Sequence, residues 1–244
     1  MSRYCKLGIN IDHVATLRNA RGENHPDVLR AAKIVEQAGA DIITMHLRED
    51  RRHIVDADLF DIKNNINLPI NLEIAPTMEM IDIAISLNPE SICLVPEKRQ
   101  EITTEGGLDI NSNIKNLSLI SEKISKTDIK LACFIDSDHR QIDLLDNLGI
   151  KIIEFHTGQY ALSNNDKDRD FYLNKLKKAV NYSSNLGFTC NAGHGLNFEN
   201  VKKIASIIKI QELNIGHFLM GESIFYGLEY VIKKMRNLID MART

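Results

Sequence analysis

The sequence predicts a single (β/α)8 barrel, and three observations predict it. Eight short apolar runs of β-type composition alternate with amphipathic stretches along 244 residues. Most of those runs are continuously apolar rather than alternating, as expected of parallel strands covered on both faces. No linker of low complexity divides the chain, whose length suits one barrel domain spanning residues 1–244. An open doubly wound sheet is the alternative. It would gather its functional groups at one switch point rather than at nearly every strand end.

The predicted strands cover residues 6–11, 41–46, 70–74, 91–95, 130–135, 151–155, 188–191 and 212–215. Helix 26–38 pairs an N-terminal proline with Gly39 just past its end, the usual polarity of helix signals. Residues 56–65 form the next helix. Thr77 caps MEMIDIAISL, which stops at Asn88-Pro89, and residues 111–125 follow. Residues 138–148 put Ile142, Leu144, Leu145 and Leu148 on one side and stop at Gly149. Residues 166–186 stop at Gly187, residues 197–208 follow a glycine-rich turn, and residues 221–241 close the chain. Extra short helices are expected in the loops.

Composition excludes several classes. A hydrophobic share of 43% and a charged share of 26% exclude global disorder. A formal net charge of −3 argues against a nucleic-acid or membrane-surface protein, which would carry a basic excess. None of Cys5, Cys93, Cys133 and Cys190 has a partner two to four residues away, so zinc-ribbon and thioredoxin-like readings fail. The opening MSRYCKLGIN lacks the apolar core of a signal sequence, and no run of 18 apolar residues occurs. The expected location is the cytoplasm.

In a barrel of this kind the active site forms at the carboxyl ends of the strands. Those ends carry Asp12-His13, His46 with Arg48, Glu73, Glu97-Lys98-Arg99, Asp136, Glu154 with His156, Asn191 with His194, and His217. Five of the eight histidines fall on this rim; His25, His53 and His139 fall elsewhere. Histidines and carboxylates converging in a concave mouth are tools of general acid–base chemistry.

Glu73 is the sharpest case. INLEIA places it in a strand buried on both sides, where desolvation raises a carboxyl toward the range of a useful base. A structural ion pair with a barrel arginine or lysine is the competing reading. Glu154, in IIEFHTG, carries the same argument. Asn191-Ala192-Gly193-His194-Gly195 after strand seven, and Gly216-His217 with Gly221 after strand eight, sit where barrel enzymes hold phosphate on backbone N–H groups. Loop one supplies Arg18 and Arg21, and loop two supplies Arg48, Arg51, Arg52 and His53. Glu49 and Asp50 are the expected partners of Arg51 and Arg52. The long polar loop 96–110, with Gly106-Gly107, reads as a hinged lid or as a plain surface loop. No metal is expected, because His-Glu-x-x-His and similar ligand spacings are absent. No nucleotide cofactor is expected either, since no Walker A or Gly-x-Gly-x-x-Gly turn follows a strand.

At these residues the chain resembles the pyridoxine 5′-phosphate synthase family. The matching segments are GINIDHVATLRNARG, AGADIITMHLREDRRHI, INLEIA, CLVPEKRQEITTEGGLD, EFHTGQYA, NAGHGL and ELNIGH, in order from residue 8 to residue 217. The resemblance implies a ring-closing transferase of vitamin B6 biosynthesis. It would condense 3-amino-2-oxopropyl phosphate with 1-deoxy-D-xylulose 5-phosphate, releasing phosphate and water. By the resemblance, Glu73 and His46 accept protons, His194 donates one, and Glu154 stabilises a charged transition state. Asn10, Arg21, Gly195, Gly216 and His217 would hold the amino-ketone phosphate. Asp12, His13, Arg48, His53 and Thr103 would hold the sugar phosphate. The family is octameric, uses no metal or organic cofactor, and closes its fourth loop over the site.

One departure stands out: Met220-Gly221-Glu222 has an acidic residue where the family pattern has arginine, so no phosphate contact is carried over to position 222. Read from its residues alone, the chain also admits a phosphosugar isomerase or epimerase on the same barrel, or a non-catalytic barrel that binds phosphorylated metabolites.

Overall fold

The computed structural model describes residues 4–97 and 106–244. Eight strands, β1 (Lys6–Asn10), β2 (Ile42–His46), β3 (Ile70–Ile74), β4 (Ser91–Leu94), β5 (Lys130–Ile135), β6 (Ile152–His156), β7 (Thr189–Gly193) and β8 (Ile210–Ile215), follow one another around a closed barrel. Every neighbouring pair is parallel, and β1 closes on β8. The doubly wound alternative is thereby excluded.

Around the barrel run α1 (Asp12–Arg21), α2 (Val28–Gln37), α3 (Asp56–Asn65), α4 (Met78–Leu87), α5 (Ile110–Ile124), α6 (His139–Asn147), α7 (Gly158–Ala161), α8 (Asp166–Asn185), α9 (Val201–Ala205), α10 (His217–Tyr226) and α11 (Leu228–Met241). Short polar side chains start several of them by accepting orphan N–H groups: Asp27 for α2, Thr77 for α4, Asp109 for α5, Asp138 for α6 and Asn165 for α8. The main core lies between the barrel wall and this helical ring, built from residues such as Ile43, Met45, Leu72, Ile153, Phe155 and Leu213. A second, small apolar cluster of Cys93, Val95, Ala132 and Phe134 comes from β4, β5 and the residue after β4.

Three expectations need correction. The first loop is mostly helix: α1 starts two residues after β1. It has no side-chain cap and buries only Asp12 and Ala15, so neither capping nor apolar periodicity announced it. The helix expected over 221–241 is two helices parted at Gly227 (φ 82°, ψ 145°). Gly221 lies inside α10, where a helical glycine costs only about 1 kcal/mol. Glu222 therefore sits in the second turn of α10, away from its N-terminus. Arg51 pairs with Asp56 at 2.8 Å and approaches Glu79 at 3.8 Å rather than pairing with Glu49, because the start of α3 brings Asp56 within reach. Arg52 does pair with Asp50, at 2.6 Å.

Candidate active site

A cavity of about 430 Å³ opens at the carboxyl ends of the strands. Asn10, Asp12, His13, His46, Arg48, His53, Glu73, Glu154, His194, Gly195, Gly216 and His217 all line it. Strand register does much of this work, setting His46 beside Glu73 on β2 and β3, and Glu154 beside Asn191 on β6 and β7.

Two carboxyls of unlike surroundings occupy the middle. Glu73 makes no hydrogen bond or ion pair among the described residues. Burial, and then the neighbouring charges of Glu154 and Asp12, push it well above the usual carboxyl range. The structural ion pair is therefore not its role here. Glu154 is pushed up to about 8, first by burial and also by Glu212, against the opposing hydrogen bond from Asn214. Asn214 Nδ2 donates to Glu154 Oε2 at 2.7 Å and to Glu212 Oε1 at 3.2 Å, while its Oδ1 accepts from the Thr44 hydroxyl at 2.9 Å. Gly193 leaves room for this pair: a Cβ there would overlap Glu154 Oε1. Sequence reasoning missed Asn214. Its signal was an amide inside the apolar strand run ELNI, a polar group that must be satisfied within the barrel.

Asp12 is fully engaged. Its Oδ2 accepts from Asn10 Nδ2 at 2.8 Å and its Oδ1 accepts the His46 backbone N–H at 2.8 Å. His46 Nε2 lies 2.9 Å from Glu97 Oε1, and Glu97 also accepts the Glu49 N–H at 3.0 Å. The hydrogen bond with His46 helps hold Glu97 below the usual carboxyl range even though burial opposes it. Asp12, His46 and Glu73 each present one atom within 4.8 Å of the others, a spacing a cation could bridge. Each Asp12 oxygen already accepts one hydrogen bond, so these donors fix the carboxylate's orientation in the trio.

The remaining imidazoles fall into two sets. His13 lies 4.8 Å from His217 and 5.9 Å from His53, ring to ring. Arg48 lines the same cavity. His53 came from outside the predicted rim, and a contact of 2.7 Å between its Nδ1 and Thr16 Oγ1 brings it in. Burial, then the neighbouring imidazoles of His13 and His46 and the guanidinium groups of Arg48 and Arg52, lower His53 to about 4. Burial and His217 lower His13, whose Nδ1 is buried with no hydrogen-bond partner among the described residues. On the opposite side His194 meets His156 at 4.9 Å, and His156 Nδ1 lies 2.9 Å from Asp136 Oδ1. Burial, His156 and His217 lower His194 to about 4.

Two predicted residues are not brought in. Arg21 ends α1 with its side chain exposed, 3.6 Å from Glu23. Arg18 is committed to Asp58 through two contacts of 2.5 and 2.9 Å. Thr103, Lys98, Arg99 and most of the predicted lid lie outside the described residues.

A raised, unpartnered carboxyl among imidazoles at the mouth of a (β/α)8 barrel is equipment for moving protons, and the chain is an acid–base enzyme of that fold. Residues 7–241 match the family described as Pyridoxal phosphate biosynthesis protein PdxJ, and the chain belongs to that family. It is 49% identical over 238 residues to pyridoxine 5′-phosphate synthase of Idiomarina loihiensis, covering 98% of each chain. It is 51% identical to the enzyme of the same name from Zymomonas mobilis, covering 100% of this chain and 94% of the other. Among solved structures, KGPDC from Streptococcus mutans superposes with a TM-score of 0.67 at 11% identity, covering 98% of each chain. That likeness speaks to the fold alone.

Proposed function

We propose that the chain is a pyridoxine 5′-phosphate synthase, condensing 3-amino-2-oxopropyl phosphate with 1-deoxy-D-xylulose 5-phosphate into pyridoxine 5′-phosphate, phosphate and water. The observation that carries the reading is Glu73, an unpartnered carboxyl raised by burial at the centre of the cavity. Joining an amine to a ketone, losing water, eliminating phosphate and aromatising each move protons, and none requires hydride transfer. A carboxylate made more basic by burial takes a proton from carbon more readily and can return it to a leaving oxygen, such groups contributing ~10²–10⁴-fold each.

In this scheme Glu73 and His46 accept protons and His194 donates. Glu154, held by Asn214, would balance an emerging positive charge as it releases its proton. The imidazole set His13, His53 and His217 with Arg48 serves a phosphorylated substrate. Arg48 already has Asp50 at 3.6 Å, and an anion arriving beside buried imidazoles would favour their protonated forms. Gly195 and Gly216 line the cavity, and their backbone N–H groups would suit the second phosphate. Asn10 and Asp12 complete the walls, and Thr103 and Arg21 remain candidates through the resemblance alone. The enzyme would act in the cytoplasm without cofactor, nucleic acid or membrane partner. Among the described residues no helix is long and apolar enough to cross a membrane. Self-assembly into the octamer of the family is supported by exposed Ile224, Phe225, Tyr226 and Tyr230 on α10 and α11, an apolar patch that suits burial against another copy.

The test is direct. Purified protein given both substrates should yield pyridoxine 5′-phosphate, read by its absorbance, together with released phosphate. Absence of product from folded protein would refute the proposal. Conversion of either substrate alone into an isomer would instead support an isomerase.

A further inference from the structure

The tripeptide His156-Thr157-Gly158 and the carboxylate of Asp136 converge on His194, and none of these four has a role in the scheme above. His194 adopts φ 78°, the left-handed region that a residue with a Cβ occupies only when its surroundings insist. Thr157 supplies that insistence. Its hydroxyl lies 2.7 Å from the Gly193 carbonyl and 2.5 Å from the His194 carbonyl, and its N–H donates to the Gly193 carbonyl at 2.9 Å.

Gly158 then makes room for the rings. A Cβ at this position would overlap His156 Nε2 and lie 3.2 Å from His194 Cδ2. Without it, the two imidazoles meet edge to face at 68°. Phe134 closes the opposite side, 5.2 Å from the His156 ring and 6.4 Å from the His194 ring. On the far side of His156, Nδ1 faces Asp136 Oδ1 at 2.9 Å. This hydrogen bond is the main reason that Asp136 lies below the usual carboxyl range and carries its charge at neutral pH. An ionised carboxylate takes the Nδ1–H, which fixes the tautomer and leaves Nε2 as the atom turned toward the space Gly158 leaves open. The other end of Asp136 is tied to the barrel loop: a Cβ on Gly107 would overlap the Asp136 backbone, and Leu108 N–H donates to the Phe134 carbonyl at 2.7 Å.

We infer that Asp136 and His156 are positioning residues for His194, with Asp136 setting the tautomer and tilt of His156 and His156 setting the orientation of the His194 ring in the cavity. The inference rests on the synthase reading and adds to it a carboxylate–imidazole pair that touches no substrate.

A double-mutant cycle tests this with the full-length enzyme. Wild type, Asp136→Asn, His194→Gln and the double variant are compared for kcat and for KM of each substrate. Asp136→Asn is expected to lower kcat by about tenfold or more with both KM values within about threefold, as when an orienting carboxylate is neutralised. In the His194→Gln background the same substitution is expected to change kcat less than about twofold. An equal drop in both backgrounds overturns the inference, because a general packing role would act with or without His194. His156→Asn gives an independent cycle, since it keeps a donor for Asp136 and removes the ring; its effect should likewise vanish in the His194→Gln background. Asp136→Glu, which retains the charge, is expected to recover most of the loss, and failure to recover it counts against the pair. Additive cycles in an active enzyme refute this inference alone, whereas a folded wild type without synthase activity removes the reading and the inference together.

Discussion

Two sets of imidazoles meet at one cavity, and their partners differ. His13, His53 and His217 are neighbours of Arg48, and the contact that fixes His53 is with a hydroxyl. His156 and His194 have Asp136 as a resident anion. The first set has imidazoles lowered by burial and a buried nitrogen without a hydrogen-bond partner among the described residues, which suits an incoming phosphate. In the second, Asp136 holds the His156 ring against His194, which suits orienting a proton donor. The difference teaches that a histidine's position on the rim says little about its work until its partner is known.

The largest effect expected belongs to neither set. Glu73→Gln removes the unpartnered carboxyl between them and is expected to lower kcat by ~10²–10⁴-fold while calorimetric affinity for the substrates stays within about threefold. A wild-type rate in this variant would remove the base from the scheme. Next comes the anion side. Arg48→Met deletes a charge-assisted partner worth about 1.5–3 kcal/mol. Inorganic phosphate, titrated by its effect on thermal unfolding, should then bind about tenfold to a hundredfold more weakly; unchanged affinity would break the assignment of that side. Smaller still is Gly193→Ala. Its Cβ must displace Glu154, at about 1–3 kcal/mol for overpacking. The thermal midpoint should fall by several degrees, and an unchanged midpoint would mean that Glu154 moves freely.

The smallest effect is on the pH dependence of stability, and the two kinds of group act in opposite senses. His53 and His194 are lowered to about 4. Between pH 4 and their ordinary value the unfolded chain binds more protons than the folded one, so these groups make stability rise with pH there. Glu154, raised to about 8, keeps its proton in the folded state above its ordinary range. It therefore makes stability fall as pH rises toward 8. His53→Gln should flatten the acid limb of the midpoint-against-pH curve, and Glu154→Gln the alkaline limb. Parallel curves for wild type and variants would contradict both assignments.

Much of this was legible in the residues. Continuous apolar runs announced the parallel barrel, and the order of strand ends placed His46, Glu73, Glu154, His194 and His217 around one mouth. The parts that escaped share a physical cause: they depend on what a side chain meets rather than on where it stands in sequence. Helix α1 lacks a capping side chain and an apolar stripe. Asn214 becomes meaningful only when β8 brings it against Glu154 and Thr44. His53 looked like a loop residue until Thr16 met it. Arg21 looked like a loop cation, and helix geometry turned it outward.

The division of labour between the two sides is tested most directly by one steady-state comparison of His53→Gln with His194→Gln, measuring kcat and both KM values in each. His53→Gln should raise KM for one phosphorylated substrate by about tenfold or more and leave kcat within about threefold, whereas His194→Gln should lower kcat by ~10²-fold or more with KM nearly unchanged. The opposite pattern, or the same pattern in both variants, would contradict the account.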